Sequence, residues 1–257
     1  MYLGIDIGGT KTLIAAFTHR GRVIRKYKFK TAQNKDKFLL DLNRNSQMFL
    51  KYHFQSVVVA IPGSVQKNCS VSLGNRDWGT FSLLKPLKEL FNCPIYFEND
   101  ANLATIYESH RLRGRTIFLT FSTGIGGGIA DNGLLSDKSR KFEPGHIIYE
   151  YNGVKAEWED IASAKAIGEA YNRTATDLRE AEALQDVAKR VWLGIPDVIH
   201  RYSPNNIILG GPLGKIFKLY VGYLPKIPKV KYRRPKRPLE SVIYGCFLYA
   251  KEMEKDE

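Results

Sequence analysis

The sequence predicts an α/β chain built as two related lobes, and three observations predict it. A strand, a glycine-rich turn and a second strand occur near the start, YLGIDIGGTKTLIAAFT (2–18), and again at RTIFLTFSTGIGGGIA (115–130). Helical and strand-like stretches alternate after each copy. No low-complexity linker separates the halves, so the junction is expected as a short hinge near 105–115. This gives lobes of 1–110 and 111–257.

The elements follow in order. YLGIDI (2–7) reads as a strand stopped by Gly8 and Gly9, and TLIAAFT (12–18) as a second. Arg20 and Gly21 turn the chain into a third, RVIRKYKF. Phe38, Leu39, Leu42, Phe49 and Tyr52 fall near one helical face of 35–54. VVVAI (57–61) is a buried-type strand ended by Pro62 and Gly63. A helix is expected over 81–91 despite Pro86, then a strand at IYFE, then a helix over 99–110 with Asn99 or Asp100 as its N-cap. Past the second glycine turn, helices are expected at 157–172 and 178–201. NNIILGG (205–211) reads as a strand, and 238–257 as an amphipathic last helix.

Composition sets outer limits. The 257 residues are 44% hydrophobic, enough for a packed core, and the net charge of +13 favours anionic partners. Cys69, Cys93 and Cys246 form no CxxC pair, so neither a disulfide framework nor a cysteine zinc site is expected. Free thiols and the lack of an apolar span or secretory leader point to a cytoplasmic protein.

Glycine lets a turn take positive φ and lets a ligand approach the main chain. Successive exposed N–H groups then suit an anion, and two such turns could hold a polyphosphate between the lobes. The chain has no GxxxxGK[ST] P-loop, and GxGxxG fails because Ile129 stands where its last glycine belongs.

DIGGTK (6–11), GSV (63–65), ENDAN (98–102), STGIGGG (122–128), EPGH (143–146) and IILGG (207–211) occur in this order. In these motifs, from residue 3 to about 250, the chain resembles the ROK sugar kinases, within the wider actin and hexokinase superfamily. The resemblance implies two ribonuclease H-like lobes, an actin-like ATPase fold, with a cleft between them. It implies ATP and Mg²⁺ as cofactors and a small-molecule sugar as partner.

The resemblance also distributes roles. Asp6 would orient Mg²⁺, and Gly8, Gly9, Thr10 and Lys11 would meet the nucleotide phosphates. Thr123, Gly124, Gly126 and Gly127 would cradle their other side, and Gly210 and Gly211 would let adenosine lie against the backbone. Asp100 would act as catalytic base toward a sugar hydroxyl. Gly63, Asn75, Asn99, Glu143, His146 and Glu159 would complete the sugar site. The expected reaction is glucokinase-like phosphorylation of a hexose at its 6-hydroxyl.

Two departures stand out. Most ROK kinases carry a CxCGxxGC zinc motif after the EXGH histidine, whereas this chain has IIYEYNGVKAEW with no cysteine. Zinc is therefore not expected, Asn152-Gly153 is expected to form a tight hairpin turn, and His146 needs another contact to orient it. No helix-turn-helix lies ahead of residue 1, so DNA binding in the manner of the family's repressors is not expected. Other readings remain: an N-acetylhexosamine or fructose kinase, a non-catalytic sugar or nucleotide sensor, and a nucleic-acid binder using KVKYRRPKRP (229–238). That segment reads more simply as a solvated loop, and the protein as a monomer or homodimer.

Overall fold

The computed structural model describes residues 1–63, 70–71, 78–79 and 81–255. Its contacts group into two units, Met1–Tyr107 with Val242–Glu257, and Glu108–Ser241.

The first unit is built on β1 (Tyr2–Ile7), β2 (Lys11–Phe17) and β3 (Val23–Lys30), joined as antiparallel neighbours. Helix α1 (Lys35–Ser46) starts where Asn34 accepts from the Lys37 N–H, and a short 3₁₀ turn, Gln47–Phe49, extends it. β4 (Ser56–Ile61) is buried along its whole length, as its unbroken apolar run requires. A small pair, β5 (Ser70–Val71) with β6 (Phe81–Ser82), precedes α2 (Leu84–Leu90), whose first turn accommodates Pro86. β7 (Ile95–Asn99) then leads directly into α3 (Asp100–Ser109). The sheet order is β3-β2-β1-β4-β7, with β1, β4 and β7 parallel. The carboxyl ends of those three strands therefore lie along one edge, where open α/β sheets present ligand sites. They carry Asp6 to Gly8, Ile61 to Gly63, and Asn99 with Asp100.

The second unit repeats this plan. β8 (Arg115–Phe121) and β9 (Ile125–Asp131) pair antiparallel, and β10 (Leu134–Leu135) adds a short edge. A separate hairpin follows, β11 (Ile148–Tyr151) with β12 (Val154–Glu157). Asn152 and Gly153 turn it with φ of 52° and 78°, the left-handed pair expected of an Asn-Gly turn.

The expected helix over 157–172 is two helices, α4 (Trp158–Ala162) and α5 (Ala164–Ala170). Ser163 is extended between them and caps α5 through its hydroxyl. The expected helix over 178–201 also divides, into α6 (Ala181–Trp192) and α7 (Ile195–Tyr202). Gly194 sits at the break because a Cβ there would meet the Trp158 ring at 2.5 Å, and Pro196 opens α7.

β13 (Asn206–Gly210) enters the sheet parallel to β8, and α8 (Gly211–Lys215) and α9 (Phe217–Tyr220) follow. β14 (Lys231–Arg233) pairs parallel to β13. The order β10-β9-β8-β13-β14 matches the first sheet position for position. The expected loop over 229–238 is thus in part an edge strand. Arg233 donates to Asn206 at 2.6 Å, and the Lys236 and Arg237 N–H groups donate to the buried Glu108 carboxylate.

The last helix, α10 (Ser241–Met253), packs with the first unit and not with the lobe 111–257 in which the sequence placed it. Gly4 admits Cys246 and Ile243, and Phe17 stacks on Phe247 at 5.4 Å. A Cβ on Gly245 would stand 1.9 Å from the Leu103 carbonyl oxygen, so α10 and α3 touch backbone to backbone.

Among the described residues no helix is long and apolar enough to cross a membrane. Cys93 and Cys246 are free thiols, while Cys69 lies outside the described residues.

Candidate active site

In the first unit the two expected acids come close enough to feel one another. Asp6 is half-buried on β1. Burial, and next the charge of Asp100, push its carboxyl up to about 7, and the Lys28 ammonium opposes them. Sheet register explains the cation, since Asp6 pairs with Leu13 and Leu13 with Lys28. A carboxyl whose ionisation is disfavoured by burial and by a second carboxylate fits a divalent cation, which would favour the charged form.

Asn99 settles the choice of helix cap. Its side-chain oxygen accepts from the N–H groups of Ala101 and Asn102, at 2.8 and 3.1 Å, while its amide nitrogen donates to the Gly63 carbonyl at 3.1 Å. Asp100 is left as the first helical residue, its carboxylate accepting from the Ala101 N–H at 2.7 Å. Glu98, to which the sequence assigned no role, accepts from the Asn99 N–H and the Asn102 amide. Asn75 lies outside the described residues.

The first glycine turn is closed on itself. The Gly8 N–H donates to the Lys11 carbonyl at 3.0 Å. The Thr31 hydroxyl donates to the Gly8 carbonyl, and its N–H to the Thr10 carbonyl. Thr31 is buried, with Thr12 at 2.9 Å. Thr10 and Lys11 stay exposed at the tip.

The expected reason for the glycines needs correction. None of Gly8, Gly9, Gly124, Gly126 and Gly127 takes a positive φ. Gly127 is buried beneath Phe142, whose ring a Cβ would meet at 2.6 Å, and Gly210 lies equally close to Phe118. At these two positions the space a side chain would need is taken by an aromatic ring. Gly211 does need its left-handed φ of 66°.

The second unit gathers the other acids. The Glu159 carboxylate accepts from the Ile125 N–H at 3.2 Å and lies against Gly124 and Gly145, where a Cβ would stand 2.5 and 2.7 Å from it. His146 ends the 3₁₀ turn Pro144–His146, which Glu143 precedes. Its Nδ1 meets Glu157 Oε2 at 2.9 Å, the orienting contact that the missing cysteines left open. That hydrogen bond raises the pKa of His146, as do the charges of Glu159, Glu157 and Glu143, while partial burial opposes them. His146, Glu157 and Glu159 bring one donor atom each within 4.8 Å of one another, a set with the chemistry to take a metal ion. A cavity of about 540 Å³ opens beside the second turn, lined by Thr123, Lys165, Asn172, Arg173, Thr176 and Pro212.

The ROK family model matches residues 2–244.

This chain belongs to the ROK family.

Among its ROK relatives, the xylose repressor of Bacillus spizizenii is 25% identical over 185 residues. The match covers 62% of this chain and 48% of the repressor, so the chain spans about half of that relative's length. The N-acetylmannosamine kinase of Haemophilus influenzae is 25% identical over 295 aligned positions, covering 99% of this chain and 91% of the kinase. The glucokinase of Streptomyces griseus, solved with glucose and AMPPNP, superposes with a TM-score of 0.78 at 19% identity, covering 98% and 99% of the two chains. The fold is thus the actin-like ATPase fold of ROK sugar kinases, with its two five-stranded sheets.

Proposed function

We propose that this ROK protein is an ATP-dependent sugar kinase, phosphorylating a hexose at its 6-hydroxyl. One observation carries the reading. Asp6 and Asp100 sit at the carboxyl ends of parallel strands, near enough that the charge of Asp100 raises the pKa of Asp6. Asn99 caps α3, so the cap itself does not require Asp100.

Asp100 takes the proton from the attacking hydroxyl as that oxygen bonds to the γ-phosphorus and the bond to the ADP leaving group breaks. Asn99 holds the first turn of α3, which fixes where that carboxylate is offered. Asp6 would hold Mg²⁺ with the nucleotide. When bound, Mg²⁺ neutralises phosphate charge. The exposed side chains of Thr10 and Lys11 donate to phosphate oxygens, a task the closed first turn leaves to them. The cavity beside Thr123 has the size for a nucleoside, and its wall carries Lys165 and Arg173 together with Glu169.

Glu143, His146 and Glu159 have the chemistry to bind sugar hydroxyls. N-acetylmannosamine and fructose are the competing acceptors, and a non-catalytic sensor is the competing role, since the family includes repressors. An ADP-release assay with Mg²⁺ over a panel of hexoses and N-acetylhexosamines decides among them. Release that depends on one sugar supports a kinase and names its acceptor. Sugar binding without release supports the sensor.

A further inference from the structure

The hairpin that stands where relatives have a zinc loop has a register with chemical consequences. Its ladder runs from Tyr151↔Val154 beside the turn to Ile148↔Glu157 at the open end. The Trp158 N–H then donates to the Ile147 carbonyl at 2.8 Å, carrying the pairing one step past the strands. Trp158 is itself fully buried, and its indole N–H donates to the Arg190 carbonyl. The backbone of Glu157 is therefore held from both sides. A slip of one residue would turn its side chain to the opposite face.

We propose that Glu157 is the positioning residue for His146, holding the Nδ1 side of the imidazole so that Nε2 is the atom offered to a sugar hydroxyl. This rests on the sugar-kinase reading above. Three observations support it. The contact is short, at 2.9 Å. A carboxylate only accepts, so the proton between the two atoms belongs to Nδ1 and the tautomer is set. Both side chains are substantially exposed, 59% for His146 and 43% for Glu157, and an exposed pair adds little to folding stability. Stability therefore does not account for the pair, whereas orientation of a ligand-binding ring does. Glu143 and Glu159 also face the ring, and both favour its protonated form as Glu157 does.

Two measurements test the proposal. The first needs no sugar: at a pH above the raised pKa of His146, where the ring is neutral, its ring ¹⁵N shifts read the tautomer in the free protein. Wild type is expected to hold the proton on Nδ1 and Glu157→Ala to move toward the Nε2–H form, while Glu157→Gln, whose amide oxygen still accepts, keeps the wild-type pattern. The second is kinetic, with the sugar that the panel selects. Glu157→Ala should raise sugar KM about 10-fold or more, the scale of losing a hydrogen bond to a charged group, while kcat and nucleotide KM hold. Glu157→Gln should recover most of that loss.

An unchanged tautomer, or an unchanged sugar KM in Glu157→Ala, overturns the assignment. So does a tightly bound divalent metal in the purified protein whose removal abolishes sugar binding, because the ring would then be held by the ion. If wild type turns over no sugar while the tautomer shifts as expected, the kinase reading fails and the Glu157–His146 assignment stands.

Discussion

The side-chain amide of Asn99 donates to the carbonyl of Gly63 at 3.1 Å, tying the end of one parallel strand to the start of the helix that follows the next. The same residue caps that helix. Replacing it with Ala removes both contacts. We expect Asn99→Ala to lower stability by about 1–2 kcal/mol, the range of a lost cap, and to lower kcat as Asp100 loses its fixed position. Asn99→Asp keeps the cap and loses the donor to Gly63, so it should recover most of the stability. Urea melts of the three proteins check this, and equal midpoints for Asn99→Ala and wild type would refute it.

Asp100→Asn keeps the size of the side chain and removes the base. Turnover is expected to fall by about 10²–10⁴-fold, with sugar affinity within a few-fold of wild type. Near-normal turnover in this variant would show that another group takes the proton.

The raised pKa of Asp6 makes stability depend on pH with a defined sign. The folded protein holds this proton up to about pH 7, whereas an unfolded aspartate releases it near pH 4. The stabilisation is thus complete below about pH 4, falls as pH rises toward 7, and is gone above that. The difference in melting temperature between wild type and Asp6→Asn should change across this window and be flat above it, with the variant the more stable at pH 8 in the absence of nucleotide. Parallel pH profiles for the two proteins would contradict the assignment.

Gly245→Ala tests the backbone contact between the last helix and the helix that begins with Asp100. The added methyl group would overlap the Leu103 carbonyl, and overpacking of this kind costs about 3 kcal/mol. Thermal unfolding reads the loss. Unchanged melting would mean that the two helices lie further apart.

Much of the fold is legible because β1 and β4 are dominated by apolar residues. YLGIDI and SVVVAI could hardly be anything but buried strands, and their observed bounds fall within a residue of the expected ones. Ser163, Gly194 and Pro196 are ordinary stop and start signals, visible in the sequence, that helical periodicity overrode. β14 was hidden because Lys-Tyr-Arg looks like solvated charge. Its pairing comes from the exposed edge of β13, which the sequence does not display locally.

The crowding around two of the glycines was hidden for a similar reason. What crowds Gly127 and Gly210 are Phe142 and Phe118, partners that only the folded chain brings near. Asp6 and Asp100 were legible as motif residues, but Glu157 was not. Its contact with His146 arises from the register of a hairpin, and no spacing along the chain announces that.

The return of α10 to the first sheet has a consequence for synthesis. Glu108–Ser241 is one unbroken segment, whereas the first unit draws on both extremities of the polypeptide. The middle segment has all of its own core as soon as it leaves the ribosome. The earlier residues must wait, with Gly4 and Phe17 uncovered, until Ile243, Cys246 and Phe247 have been made. Birth order and order of completion are therefore reversed in this chain, and a stop codon shortly before residue 241 would strip the older portion of its cover and spare the younger one.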